Sequence, residues 1–289
     1  MIGHETARRR LAHELQDQLG LRSEALVRAL ATVPREFFLG PGPWLVLRVP
    51  EGYTSTPDAD PLHVIRDVPV ALDPARLVNN GAPSLVAALI DGLAPAEGER
   101  VVHVGAGVGY WTAILAELVG PSGQVLAIEL DRESAARARR NLAGWKSVEV
   151  IAADGTRHPL PEADAIFVSA GATHPRPIWL DALRPGGRLL MPLTGVRPPA
   201  PAARFGRNLA GRALLVQRGE RGFGARFVQR IGLSPLLGGR DRMHEKLVQE
   251  SFQKGGDEEV RSLRREPHAR ESACWLHADD FCLSRREAG

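Results

Sequence analysis

Apolar residues recur three and four apart at Leu11, Leu15 and Leu19 and again at Leu26, Val27 and Leu30, so the chain opens on helix. VPREFF (residues 33–38) is expected to end that helical pattern. A Gly/Pro-rich turn, LGPGPW, follows, then short extended pieces such as LRVPEGY and IRDVPVAL. From residue 83 the period alternates. PSLVAALIDGL reads as helix, with Pro83 suited to its first turn, RVVHV as a buried strand and YWTAILAELV as helix. QVLAIEL, SVEVIAAD and DAIFVSA read as strands, with RESAARARRNL a helix among them, and RPGGRLLMPL as a turn into a further strand. Strands alternating with helices predict an α/β fold, a parallel sheet with helices on both faces. After a Pro/Ala stretch, VRPPAPAA, the strand-like RALLVQRG and GARFVQRIG precede a helical DRMHEKLVQESFQ and a compositionally odd tail, ACWLHADDFCLS. The expected parts are an N-terminal helical and loop segment (1–82), a central α/β domain (83–195) and a C-terminal α+β extension (196–289).

Composition changes this picture little. At 289 residues, 44% hydrophobic and 25% charged, the chain can bury a sizeable core. Its two cysteines, Cys274 and Cys282, form no CxxC pair and are read as reduced thiols of a cytoplasmic protein. No secretory signal opens the chain, and no apolar run reaches the ~18 residues needed to span a bilayer. The net charge is +3, and its short cation clusters alternate with acids. Solvated helix faces account for them, so neither a nucleic-acid nor a membrane partner is expected. The nine histidines show no HExxH or comparable spacing, which predicts no metal site. His103 within its strand reads as core, His174 in THP as a structural loop residue, and Trp275 and Phe281 as packing of the C-terminal part.

The informative stretch is VVHVGAGVGYWTAILAELVG (residues 101–120). Gly105, Gly107 and Gly109 stand between a strand and a helix, where a tight turn and a close-lying ligand both call for residues without a Cβ. The helix N-terminus beyond them favours an anionic group. Glu129 ends the next strand, twenty positions after Gly109, where an acid accepts ribose hydroxyls in Rossmann-type folds. Asp154 and Gly155 follow the strand after that, placed to meet an adenine edge. An adenosine-bearing cofactor is implied, and both NAD and S-adenosylmethionine carry one. Tyr110 takes the last position of the dinucleotide pattern GxGxxG, and Tyr110 with Trp111 is expected to crowd a pyrophosphate, which favours S-adenosylmethionine.

Taken in order, these segments resemble class I methyltransferases, and more narrowly the protein-L-isoaspartate O-methyltransferase family. VPREFF resembles that family's Val-Pro-Arg-Glu-x-Phe element, and HVGAGVGYWTAILAELVG its first motif. IEL, ADG, DAIFVSAGATHP and LRPGGRLLMPL resemble its later ones. The resemblance implies a Rossmann-like class I methyltransferase sheet and S-adenosylmethionine as cofactor. Val104, Gly105, Ala106, Gly107, Gly109 and Tyr110 are the implied cofactor contacts on the loop, with Glu129 and Leu130 after the next strand. Asp154, Gly155 and Ser169 complete the set. The implied partner is a protein or peptide bearing Asp or isoAsp, methylated on its carboxylate. The family's Gln-Thr-Ile-Ser-Gln-Pro stretch is VNNGAP here, with Gly81 where the serine would stand. Asn79, Asn80 and Gly81 are therefore the candidate substrate loop. Ser169-Ala170-Gly171-Ala172 either leaves room for a peptide backbone or only permits close packing. Repair of damaged protein and tailoring of a peptide share the succinimide chemistry and stay open. The alternatives are a small-molecule acceptor and a non-catalytic cofactor-binding module.

Overall fold

In the computed structural model, which describes residues 3–48, 51–196, 209–231, 236 and 238–289, the opening helical pattern is two helices broken at Gly20. They are α1 (His4–Leu19) and α2 (Glu24–Thr32), the second capped by Ser23, whose hydroxyl accepts the Leu26 N–H at 3.2 Å. VPREFF does more than end them. Pro34 starts a new short helix, α3 (Arg35–Leu39), because proline fixes φ for a first turn. The chain forms two compact units, residues 1–153 and 154–289.

In the first unit, β1 (Leu45–Arg48) and β2 (Gly52–Ser55) form an antiparallel hairpin. Its Val46 joins Leu39, Trp44, Val64 and Val70 in a small buried core. β3 (Ala71–Asp73) and β4 (Val78–Asn79) form a second hairpin. α4 (Pro83–Leu93) begins on Pro83, as its first-turn preference predicts. The alternation then follows as read from the pattern: β5 (Arg100–Val104), α5 (Tyr110–Val119), β6 (Gln124–Glu129), α6 (Arg132–Asn141) and β7 (Val148–Ala152). β6 pairs in parallel with both β5 and β7. Val101, Val102, Val104, Val125, Ala127 and Ile128 are all buried, as strands covered on both faces require.

In the second unit, β8 (Ala163–Val168) pairs in parallel with β9 (Leu183–Val196), and α7 (Pro177–Ala182) lies between them in sequence. Beyond β9 the pairing turns antiparallel through β10 (Leu209–Arg218) and β11 (Phe223–Ile231), the two strands expected there. α8 (Arg242–Lys254) is capped by Asp241, which accepts N–H groups of Met243 and His244. The sheet continues through β12 (Ser262–Arg264) to β14 (Cys282–Ser284) and β13 (Cys274–His277). Trp275 packs on Phe227 and Phe252, with ring centroids 5.2 Å away in each case, so it is core of this unit. Phe281 is buried near His244. The Pro/Ala stretch from residue 197 lies outside the described residues. Among the described residues no helix is long and apolar enough to cross a membrane.

Candidate active site

Strand β5 delivers the chain into the glycine loop already anchored. The N–H groups of Gly105 and Ala106 both donate to the Ile128 carbonyl of β6, at 2.9 and 3.2 Å. Gly109 has φ +95°, and a Cβ there would stand 2.7 Å from Leu142 Cδ1, so both conformation and packing demand glycine. Gly107 has φ +55° and turns its N–H to Glu129 Oε2 at 2.7 Å. The other carboxylate oxygen, Oε1, accepts the Asp131 N–H at 2.9 Å. Glu129 is thus fixed by one backbone donor on each oxygen, with acceptor capacity left on both. Asp131 caps α6 through the Ser134 N–H and pairs with Arg76 of the β3–β4 hairpin at 3.1 Å. Leu130, between the two acids, is 43% exposed, unusual for a leucine beside an ordered turn.

Below this loop lies a buried cation that sequence reasoning noted only as part of a motif. Arg35 is 2% exposed and spends its whole guanidinium on the segments that follow. Nη1 donates to the Val64 and Arg66 carbonyls, Nη2 to those of Val68 and Gly81, and Nε to Asn80 Oδ1 at 3.1 Å. Burial lowers its pKa to about 10, still charged at neutral pH. Five acceptors around one planar fork fix the path of residues 64–81.

The candidate substrate loop divides on this hub. Asn80 is turned inward: its side chain serves Arg35 and its carbonyl accepts Trp111 Nε1–H at 2.7 Å. The buried guanidinium takes the Asn80 side-chain oxygen, so Oδ1 is not free for a substrate. Asn79 is half-buried; Oδ1 accepts the Gly81 N–H at 2.9 Å and Nδ2 donates to the Tyr53 hydroxyl at 3.1 Å. Gly81 has φ +78°, and a Cβ would meet Val86 Cγ2 at 2.8 Å. Ser84 donates its N–H to Asp67 at the start of α4.

Tyr110 and Trp111 are both buried, Tyr110 against Phe38 (5.7 Å) and Trp111 (4.7 Å). Burial pushes the Tyr110 hydroxyl up to about 12, so it stays neutral. His103 is core, as expected, with Nδ1 2.9 Å from Thr112 Oγ1; burial lowers it to about 3.

In the second unit, Asp154 Oδ1 accepts the N–H and hydroxyl of Thr156 at 2.9 and 2.7 Å, and the Gly155 carbonyl accepts Trp179 Nε1–H at 2.8 Å. Ser169 is half-buried. The small residues after it are packed over by the chain's own later segment. The Gly171 carbonyl accepts the Leu236 N–H at 2.9 Å and Arg240 Nη1 at 3.0 Å, and the Thr173 N–H donates to Gly239. Ala172 is fully buried. Of the two readings of this stretch, close packing is the one the hydrogen bonds match. His174 stacks on His244 at 4.3 Å and is lowered to about 4 by burial, then by His244 and Arg176.

Compared with known proteins, residues 6–208 match the family described as protein-L-isoaspartate(D-aspartate) O-methyltransferase. The chain belongs to that family. Protein-L-isoaspartate O-methyltransferase 2 of Archaeoglobus fulgidus is 35% identical over 197 residues, covering 66% of this chain and 80% of that protein. The enzyme of Methanopyrus kandleri is 36% identical over 192 residues, covering 65% and 76%. Among solved structures, a protein-L-isoaspartate O-methyltransferase superposes with a TM-score of 0.58 over 90% of this chain and 72% of that one, at 21% identity. A Plasmodium falciparum protein described as a putative member, solved with S-adenosyl-L-homocysteine, gives 0.57 over 79% and 97%, at 16% identity. The fold is therefore that of the Rossmann-like class I methyltransferases. The family match ends at residue 208, so β10 and everything after it lie outside the matched region. Membership supplies what the buried aromatic pair does not, the choice between a dinucleotide and a methyl donor.

Proposed function

We propose that this chain is an S-adenosylmethionine-dependent carboxyl O-methyltransferase acting on aspartyl or isoaspartyl residues of a protein or peptide. The observation that carries the reading is the glycine loop with its fixed acid. Glu129 is held by the N–H groups of Gly107 and Asp131, and both oxygens keep capacity for a ribose hydroxyl. Those acceptors fit the ribose of an adenosine. Loop contacts from Val104 to Gly109 and the exposed Leu130 face extend this set, while Tyr110 supports the loop from beneath. Asp154, Gly155 and Ser169 join the proposed site on their motif positions alone.

When bound, S-adenosylmethionine supplies a methyl group on a sulfonium. The glycine loop and Glu129 would hold that donor for in-line transfer of the methyl group to the substrate carboxylate, with the carbon–sulfur electron pair left on sulfur. A carboxylate with a pKa of ~4 is already ionised at neutral pH, so no general base is required. His103 fits this, being buried, neutral and tied to Thr112. What the chain contributes is position, worth up to ~7–11 kcal/mol in well-oriented reactions. Arg35 holds the loop that carries Asn79 and Gly81, so it is a positioning residue for substrate.

The acceptor rests on the relatives' names. With glycine at position 81 and Asn80 turned inward, the loop offers the carboxylate no hydroxyl of its own. That favours peptide tailoring as a second reading within the same chemistry. Methyl-labelled S-adenosylmethionine with two peptides matched except for Asp or isoAsp separates the readings. Base-labile label on the isoAsp peptide supports repair; label on neither, with cofactor bound, overturns it and leaves a dedicated peptide or another acceptor.

A further inference from the structure

The C-terminal region brings together four side chains that no motif in the sequence announces. His268, Cys274, His277 and Cys282 each present one ligand atom, and all four atoms lie within 4.8 Å of one another. Both cysteines are buried free thiols, and both histidines are half-buried. Strand alternation alone would put Cys274 and His277, three residues apart, on opposite faces. A register shift between Cys274 and Leu276 in the β13–β14 ladder offsets that alternation, and His277 stands opposite Cys282. His268 comes from the loop between β12 and β13.

We propose that His268, Cys274, His277 and Cys282 bind one zinc ion. Tetrahedral zinc with bonds of about 2.3 Å to sulfur and about 2.0–2.1 Å to nitrogen sets neighbouring ligand atoms roughly 3.3–3.8 Å apart. Cys274 Sγ and His268 Nε2 already stand 3.5 Å apart. The other ring nitrogen of His268, Nδ1, lies 2.9 Å from the Glu266 carbonyl. Donation of Nδ1–H to that oxygen leaves the Nε2 lone pair toward the cluster, the arrangement metal-bound histidines use. The Glu271 N–H points at Cys274 Sγ at 3.5 Å, a donor suited to a thiolate. Among the described residues His277 Nδ1 is buried without a hydrogen-bond partner, a costly state that a ligand would relieve.

Two sulfurs and two imidazole nitrogens in a tetrahedron select zinc over harder cations. Four protein ligands leave no open position, so the site is structural. Binding releases two thiol protons to solvent and leaves two thiolates to neutralise the divalent ion. It would tie the loop holding His268 to strands of only three and four residues.

The test uses the full chain, purified under reductant without chelator. Elemental analysis should find about one zinc per chain. Cobalt(II) titrated into metal-stripped protein should give visible tetrahedral d–d and thiolate charge-transfer bands that saturate at one equivalent. Cys274→Ser with Cys282→Ser should lose at least nine-tenths of the metal, and His277→Ala should weaken binding at least tenfold. Less than a tenth of an equivalent after exposure to equimolar zinc would overturn the proposal. So would absent thiolate bands in the wild-type chain, full metal retained by the double variant, or a Cys274–Cys282 disulfide in the reduced preparation.

Discussion

Residues 33–81 and residues 262–284 both hold short elements around polar side chains, and they do so with different chemistry. The first region collects five acceptors, four of them backbone carbonyls, around the Arg35 guanidinium. The second gathers two sulfurs and two ring nitrogens within 4.8 Å of one another. Arg35 suits the first because its fork has five N–H donors and its charge persists when buried. The second presents lone pairs and thiol protons, and among the described residues His277 Nδ1 has no hydrogen-bond partner. A cluster of sulfur and imidazole lone pairs is a place for an added cation; a ring of acceptors around a guanidinium is complete.

Arg35→Met should be the most damaging substitution. Leaving Asn80 and four carbonyls without a donor should cost ~3–5 kcal/mol, read as a lower urea midpoint, with methyl transfer lost. Arg35→Lys should recover less than half, because three donors on a point charge cannot span the five acceptors. An Arg35→Met chain as stable as wild type would remove the hub. Gly109→Ala comes next. Strain at φ +95° plus overlap with Leu142 should cost ~2–4 kcal/mol and be visible as a lower Tm. Asn80→Ala should cost ~1–2 kcal/mol, and it should act on stability, whereas Asn79→Ala should raise the peptide KM with the smaller stability loss. Equal KM effects from both would restore Asn80 as a substrate contact.

The smallest effect is on pH dependence. His103 and His174 are lowered by burial to about 3 and about 4 from the usual 6.5. Unfolded chains therefore take up protons that the folded one refuses. Their contribution to stability is full above about pH 6.5 and is lost as pH falls toward the folded values. The Tm should drop as pH falls from 6.5 to 4.5, and His103→Asn should flatten part of that slope. A slope unchanged by His103→Asn would mean that His103 does not stay neutral in the folded chain.

Much of residues 100–152 was legible. Period-2 and period-3.6 patterns located β5, α5, β6, α6 and β7, and the spacing of Gly109 and Glu129 placed an acid beside the loop before any coordinates. What escaped was side-chain direction. Asn80, Tyr110 and Trp111 look like polar or crowding contacts in sequence but face inward, because Arg35, Phe38 and the Asn80 carbonyl, each some thirty or more positions from its partner, claim them. Leu236 and Arg240 cover Gly171 by pairings no local pattern encodes. The histidine–cysteine cluster was missed for a related reason. A search for ligand spacing on a helix or knuckle passes over residues three apart in a bulged strand, with a fourth ligand from a loop. In each case the missing information is tertiary.

The proposed function turns on Glu129, held by the glycine loop, binding the cofactor's ribose. Calorimetry with S-adenosylhomocysteine on wild type and Glu129→Gln tests it most directly. Loss of charge-assisted hydrogen bonds of ~1.5–3 kcal/mol predicts a Kd raised roughly ten- to hundredfold, with an unfolding midpoint close to wild type. Equal affinity in the two proteins, or no binding to wild type, would contradict it.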